Sequence, residues 1–210
     1  CSDANGIYHS TSYGDPGTWT TSTYNIAPGA NGRKTLAVSP NEPDYVYALC
    51  GGATGNGVYA GFYRSTNNAT SFTRRSNTPN ILDGSTGGTT SASQANYDLS
   101  LAVHPDFADT LATGGINSWR SYNGGTSFSR ITHWVESNST AYIHADQHQF
   151  EYNPLDNKLY ACNDGGIYVS SDNGTTWNRI ESENIHVTVT DGQVQLSKRE
   201  VVTNDRSPPK

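Results

Sequence analysis

Short apolar runs separated by turn-forming residues recur in a fixed order along this chain. Three runs end in proline: Leu36-Ala37-Val38-Ser39-Pro40, Leu101-Ala102-Val103-His104-Pro105 and Phe150-Glu151-Tyr152-Asn153-Pro154. A second run follows each, at Tyr45 to Leu49, Thr110 to Thr113 and Lys158 to Cys162. After a glycine-rich turn comes a third: Gly61-Phe62-Tyr63-Arg64, Asn117-Ser118-Trp119-Arg120 and Gly166-Ile167-Tyr168-Val169, with a further copy at Gly6-Ile7-Tyr8-His9. Runs this short, rich in aromatic and β-branched residues and bounded by Gly, Pro and Asn, predict strands. Each third run leads into a polar turn that closes on an aromatic residue. The unit is strand, proline turn, strand, glycine turn, strand, polar turn, strand: a four-stranded antiparallel meander.

The polar turn has a fixed composition. Its copies are Ser170-Ser171-Asp172-Asn173-Gly174-Thr175-Thr176-Trp177, Ser121-Tyr122-Asn123-Gly124-Gly125-Thr126-Ser127-Phe128 and Ser65-Thr66-Asn67-Asn68-Ala69-Thr70-Ser71-Phe72. A fourth copy, with two extra residues before its aromatic, runs from Ser10 to Trp19. The Asp or Asn folds its side chain back onto the backbone, glycine accepts φ > 0, and the aromatic plugs the core beneath the turn. The structural set is therefore Ser65, Asn67 and Phe72, then Ser121, Asn123, Gly125 and Phe128, then Ser170, Asp172, Gly174 and Trp177. This motif resembles the Asp-box (BNR-like) repeat of β-propeller proteins, which implies an architecture and no activity. The copies start at 10, 65, 121 and 170, and periods of roughly 40–50 residues belong to propeller blades.

The expected fold is an all-β propeller of four-stranded antiparallel blades with Asp-box hairpins. Residues 1–180 hold about three full repeats and the tail half of another. Closed propellers need roughly 4–8 blades, so the expectation is an incomplete part of a larger propeller, within a longer polypeptide or assembly. Residues 181–210 fall outside the repeat as a C-terminal hairpin or tail, with Asp191-Gly192 as the turn between two apolar runs. That hairpin is alternatively the segment that completes the first blade.

Composition narrows the function. The 210 residues include 21 Gly and 13 Tyr but no Met, which argues against a helical bundle. A net charge of −6 excludes a nucleic-acid footprint. No apolar run reaches the roughly 18 residues that span a bilayer, so direct membrane insertion is not expected. No leader-like stretch opens the chain, which fits a cytosolic or an already processed protein. Cys1, Cys50 and Cys162 share one blade position, with Thr113 at the fourth. They match no zinc spacing and read as small buried residues at a strand end. No phosphate loop or nucleophile motif is present, and no cofactor is expected.

Chemistry concentrates in His144-Ala145-Asp146-Gln147-His148. Alternate residues of a strand share a face, so His144, Asp146 and His148 are expected as a polar row on the channel side. They are candidates for ligand binding and for a metal, although a flat strand spaces alternate residues about 6.6–6.8 Å apart and one ion would require a bend. Asp146 and Asp164 are the candidate catalytic acids, with Asp98 a further contributor; glycosidase pairs need separations of roughly 5–9.5 Å. Asp164 in Asp164-Gly165-Gly166 reads first as a turn residue. Tyr13, Trp134 and Tyr142 are candidate binding aromatics. The segment Ser76–Asn96 is too polar to pack and is either binding surface or a floppy insertion.

The stretch from Ala141 to Trp177, AYIHADQHQFEYNPLDNKLYACNDGGIYVSSDNGTTW, resembles a blade of the sortilin/Vps10-like and xyloglucanase-like Asp-box propellers. The segments YRSTNNATSFTRRSNTPNIL and WRSYNGGTSFSRITHW fit the same group, with the greatest likeness to secreted Bacteroidota propellers exported by the type IX secretion system. The resemblance covers residues 1–180. It implies a secreted or cell-surface propeller that is more a non-catalytic protein- or glycan-binding or assembly module than an enzyme. Its partners would be a protein or polysaccharide at the cell surface. The alternative it implies is a glycoside hydrolase of the xyloglucanase type with two acids across a cleft. Asp146 lies near one such position, and no second acid matches. Arg130-Ile131-Thr132 and Arg179-Ile180-Glu181 do not supply the Arg-Ile-Pro segment of a sialidase.

Overall fold

The computed structural model describes residues 1–3, 5–24, 31–180, 185–190 and 193–198. These residues are strands, turns and loops, with no helix among them. The chain divides into two compact units, Cys1–Arg179 and Ile180–Lys210.

The first unit contains three complete meanders. The first is β4 (Lys34–Val38), β5 (Val46–Gly51), β6 (Tyr59–Ser65) and β7 (Ser71–Ser76). The second is β8 (Ser100–Val103), β9 (Leu111–Gly114), β10 (Ser118–Ser121) and β11 (Ser129–Arg130). The third is β12 (Gln147–Tyr152), β13 (Leu159–Asn163), β14 (Gly166–Ser170) and β15 (Asn178–Ile180), whose last residue falls in the second unit. Ahead of them, β1 (Tyr8–Ser10) and β2 (Trp19–Thr21) form an antiparallel pair. β3 (Thr23–Tyr24) then crosses to the next sheet and lies parallel to β7, pairing Thr23 with Ser71 and Tyr24 with Phe72. The strand order within each sheet matches the expected repeat, and the chain is an all-β propeller of four-stranded antiparallel blades.

Strand alternation explains how the blades stack. Tyr47 and Leu49 point from β5 into a core shared with Leu101, Val103, Leu111 and Trp119 of the second blade. Their neighbours Val46, Ala48 and Cys50 point the other way, toward Ile7. Ala102 and Ala112 turn away from the first core and meet Phe150, Leu159 and Ala161 of the third blade. Each interior sheet is thus buried on both faces, which is why its strands read as nearly continuous apolar runs. The first strands β4, β8 and β12 share a cavity of about 360 Å³ with the prolines that close them, Pro40, Pro105 and Pro154. In propellers the innermost strands border the central channel.

Three of the four polar turns follow one hydrogen-bond scheme. The hydroxyls of Ser65, Ser121 and Ser170 each accept two backbone N–H groups, from the residues two and four further on, at 2.8–3.3 Å. Each also donates to the Oδ1 of Asn67, Asn123 or Asp172 at 2.8–3.0 Å. That oxygen accepts the N–H of Ser71, Ser127 or Thr176 at 2.8–3.0 Å. The residue four past the serine has positive φ: 61° at Ala69, 82° at Gly125 and 84° at Gly174. Phe72, Phe128 and Trp177 plug the core, none more than 9% exposed. The Ser10 turn differs. Ser10 accepts the N–H groups of Ser12 and Gly14, but Thr18 Oγ1 stands 2.7 Å from its hydroxyl where the others have an amide or acid. Two extra residues lengthen this turn, and Trp19 stays 45% exposed.

Two expectations are corrected. Of the aligned strand-end positions, only Cys50 and Thr113 are fully buried; Cys162 is partly covered and Cys1 exposed. All three cysteines are free. The Ser76–Asn96 segment does pack. Ile81, Leu82 and Ala95 are fully buried in the core between the first two blades. Its polar residues satisfy one another around Asp83, which is 1% exposed. Asp83 accepts hydrogen bonds from the Ser85 and Thr90 N–H groups and hydroxyls, at 2.6–2.9 Å. Polarity misled because a loop that supplies its own donors need not face water.

In the second unit, β16 (Ile185–Thr190) and β17 (Gln193–Lys198) form an antiparallel hairpin with Thr190 opposite Gln193. The Asp191-Gly192 turn and residues 199–210 lie outside the described residues.

Candidate functional site

Three chain segments meet where the channel strands β8 and β12 begin. Tyr97 and Asp98 precede β8, His144 to Asp146 precede β12, and Asp164 sits in the turn between β13 and β14. His144, Asp146 and His148 do not line one face of a strand, as the alternation predicts. β12 starts only at Gln147, because Asp146 takes a left-handed backbone, φ 64°. The pairing with β13 shifts register between Gln147 and Gln149, which puts a bulge at His148. Gln147, fully buried, pins the bend. Its N–H donates to Gly115 O at 2.9 Å, its side-chain amide donates to His144 O, and its Oε1 accepts from Asn163 Nδ2 at 3.2 Å.

The expected row is replaced by two pairs. In one, His148 Nε2 lies 2.7 Å from Asp164 Oδ1, and Tyr97 donates its hydroxyl to the same carboxylate at 3.1–3.2 Å. The Tyr97 and His148 rings meet edge to face, centroids 5.0 Å apart. Asp164 is a turn residue, as expected, but its carboxylate is fully engaged. The hydrogen bond with His148, and then that from Tyr97, holds it below the ordinary carboxylate range.

In the other pair, the Asp98 carboxyl meets that of Asp146. Asp98 is 0% exposed, and neither of its oxygens accepts a well-formed hydrogen bond from the described residues. Burial, and next the charge of Asp146, pushes its pKa up to about 8. Two carboxylates in contact repel, and a proton shared between them relieves it. His144 stays exposed, its Nδ1 3.2 Å from Ala145 O. Among the described residues, no three His, Cys, Asp or Glu side chains converge as metal ligands. The candidate set His144, Asp146 and His148 is therefore not assembled around one point.

Beside Asp146 opens a pocket of about 350 Å³. The Asp83 loop forms one wall through Asp83, Ser85 and Thr90, and Ile116, Trp134 and Asp146 contribute the rest. Trp134 is 47% exposed. Its indole N–H donates to Gly84 O and its backbone N–H to Asn117 Oδ1, both at 3.2 Å. Asn117, itself fully buried, donates to Asp83 O at 3.0 Å and to Ser85 O at 3.3 Å. One asparagine thus ties the loop to the tryptophan. Tyr142 does not line this pocket, and Tyr13 is fully exposed on the Ser10 turn. Sequence reasoning missed Tyr97, Asp83, Asn117 and Gln147. The available signal was Asn80 to Thr90, where Asp83-Gly84-Ser85 is a side-chain-capped turn.

Solved structures share this architecture. The chain is similar to the GH74 enzyme of Niastella koreensis (TM-score 0.53, 22% identity, 74% of this chain and 23% of that one). It is also similar to an ancestral GH74 enzyme (0.54, 19%, 85% and 22%) and to the GH74 xyloglucanase from Xanthomonas campestris (0.51, 21%, 78% and 26%). The chain thus spans about a quarter of the length of these enzymes. At such identities the likeness is one of fold, and it places the chain among β-propellers. No protein-family model and no curated protein matches the sequence.

Proposed function

We propose that this chain is part of a secreted or cell-surface Asp-box propeller, of the sortilin- and xyloglucanase-like group, that binds a polysaccharide without cutting it. The observation that carries the reading is the exposed Trp134 on the wall of a 350 Å³ pocket that also presents the Asp146 carboxyl and the Ser85 and Thr90 loop. An aromatic body with a few convergent polar groups is the usual make-up of a small-ligand site, and pockets of roughly 300–1,000 Å³ hold one. Sugar rings offer an apolar face to the indole and hydroxyl donors to the carboxyl. The solved xyloglucanase of the same fold gives the first glycan to try.

The acids argue for binding over cleavage. Sugar-cleaving pairs stand roughly 5–9.5 Å apart with sugar or water between them. Asp98 is instead buried beside Asp146, and Asp164 is hydrogen-bonded to His148 and Tyr97.

Calorimetric titration with xyloglucan and other neutral β-glucans tests this. The expected result is saturable binding, at least tenfold weaker in Trp134→Ala, with no release of new reducing ends. Absence of binding across the panel overturns the glycan assignment. Release of reducing ends makes the chain a hydrolase.

A further inference from the structure

Asp98 poses a problem that the proposed function leaves unsolved. An ionised carboxylate only accepts hydrogen bonds, and the proton that Asp98 and Asp146 can share is lost as pH rises past about 8. Asp98 is fully buried, with both oxygens cut off from solvent and from any well-placed donor among the described residues. The charge that acts on it most is another carboxyl, Asp146, whose backbone is left-handed, φ 64°, a conformation few non-glycine residues adopt. The cationic side chain that acts on Asp98 is Arg33, whose Nη1 donates to the Tyr97 carbonyl at 2.8 Å. No arginine or lysine forms an ion pair with either acid among the described residues. Backbone strain that aims one acid at a buried, unsatisfied second acid is a cost, and a bound cation removes it.

We propose that Asp98 and Asp146 hold a hard divalent cation, Mg²⁺ or Ca²⁺, whose remaining positions are filled by water from the adjoining pocket. The donors are oxygens only, which selects a hard ion over zinc or copper. The neighbouring imidazoles are unsuited to complete a softer set, since His148 is bonded to Asp164 and His144 faces solvent. Two protein carboxylates with several retained waters is a common Mg²⁺ arrangement. Asp146 lines the 350 Å³ pocket, which supplies both an entry path and room for that water. The site stands whether or not the pocket also takes a glycan.

The test is the melting temperature at pH 8, first in EDTA and then with millimolar MgCl₂ or CaCl₂, together with metal analysis of the dialysed protein. At a concentration near a hundred times the dissociation constant, a bound ion raises the midpoint by roughly 5–10 °C. Asp98→Asn and Asp146→Asn each abolish the rise and the bound metal. If Asp98→Asn does not fold, Asp146→Asn at its partly exposed position carries the test alone. An unchanged midpoint in every cation overturns the proposal and leaves a proton between the acids. A rise that survives in Asp146→Asn overturns it as well, because the ion then sits elsewhere.

Discussion

Two aspartates, Asp83 and Asp98, lie fifteen positions apart in the same inter-blade segment and are equally buried, yet the fold treats them in opposite ways. Asp83 is wrapped by four donors from Ser85 and Thr90. Burial raises the carboxyl's pKa, the donors outweigh it, and the net result lies below the ordinary value. Asp98 has burial without donors and a like charge beside it, and it rises to about 8. Burial alone therefore does not decide what an acid is for. The satisfied one organises a loop. The unsatisfied one is left to a proton or an ion.

The comparison breaks most severely at Asp83. Asp83→Ala leaves four donors without an acceptor inside the loop and should cost about 3–4 kcal/mol in urea unfolding. It should also loosen Trp134, because Asn117 and Gly84 join the two. Asp98→Asn should do the reverse at alkaline pH, stabilising the protein by about 2 kcal/mol at pH 8 in EDTA, with the gain fading toward pH 5.

The signs of the two pH dependences differ. The folded pKa of Asp98 lies above its unfolded value of 3.8, so the folded state holds the proton more tightly. Its share of stability is complete below about pH 4 and is lost as pH rises to 8. The folded pKa of Asp83 lies below 3.8, so its share is present above that value and is lost only as pH falls through the lower one. A urea series across pH in EDTA should therefore decline on the alkaline side in wild type and flatten there in Asp98→Asn. A decline that persists in Asp98→Asn would place its origin in another group.

The smallest effect sharpens the other side of the contrast. Asp172 is satisfied like Asp83, through Ser170 and Thr176, but at the surface of a polar turn. Asp172→Ala should cost only about 1 kcal/mol, since water replaces the lost acceptor.

What the sequence reveals and what it hides follow the same divide. The blades were legible because strand alternation and the polar turns are local: Ser170, Asp172, Gly174 and Trp177 bond within eight residues. The candidate site joins residues from separate blades. That Asp146 was a candidate was visible; that its backbone is left-handed and that it faces Asp98 instead of lining up with His148 was not, because both depend on the bend before Gln147. The Asp83 loop was misjudged for a related reason. Its hydroxyls count as polar in composition but are spent on one carboxylate in space.

The short strand β3 gives the molecule an unequal set of seams. Where blades meet mainly by side chains, separating them peels apart an apolar surface. Between the partial repeat β1–β2 and the blade β4–β7 a strand pairing is added, by β3 against the rim of β7 and by the Thr23 N–H to Thr70 O bond of 2.8 Å. A tensile load passing along the chain there pulls parallel hydrogen bonds in shear. The same strand caps a rim that would otherwise offer itself to another sheet. That seam is both a mechanical clamp and a guard against edge-to-edge association.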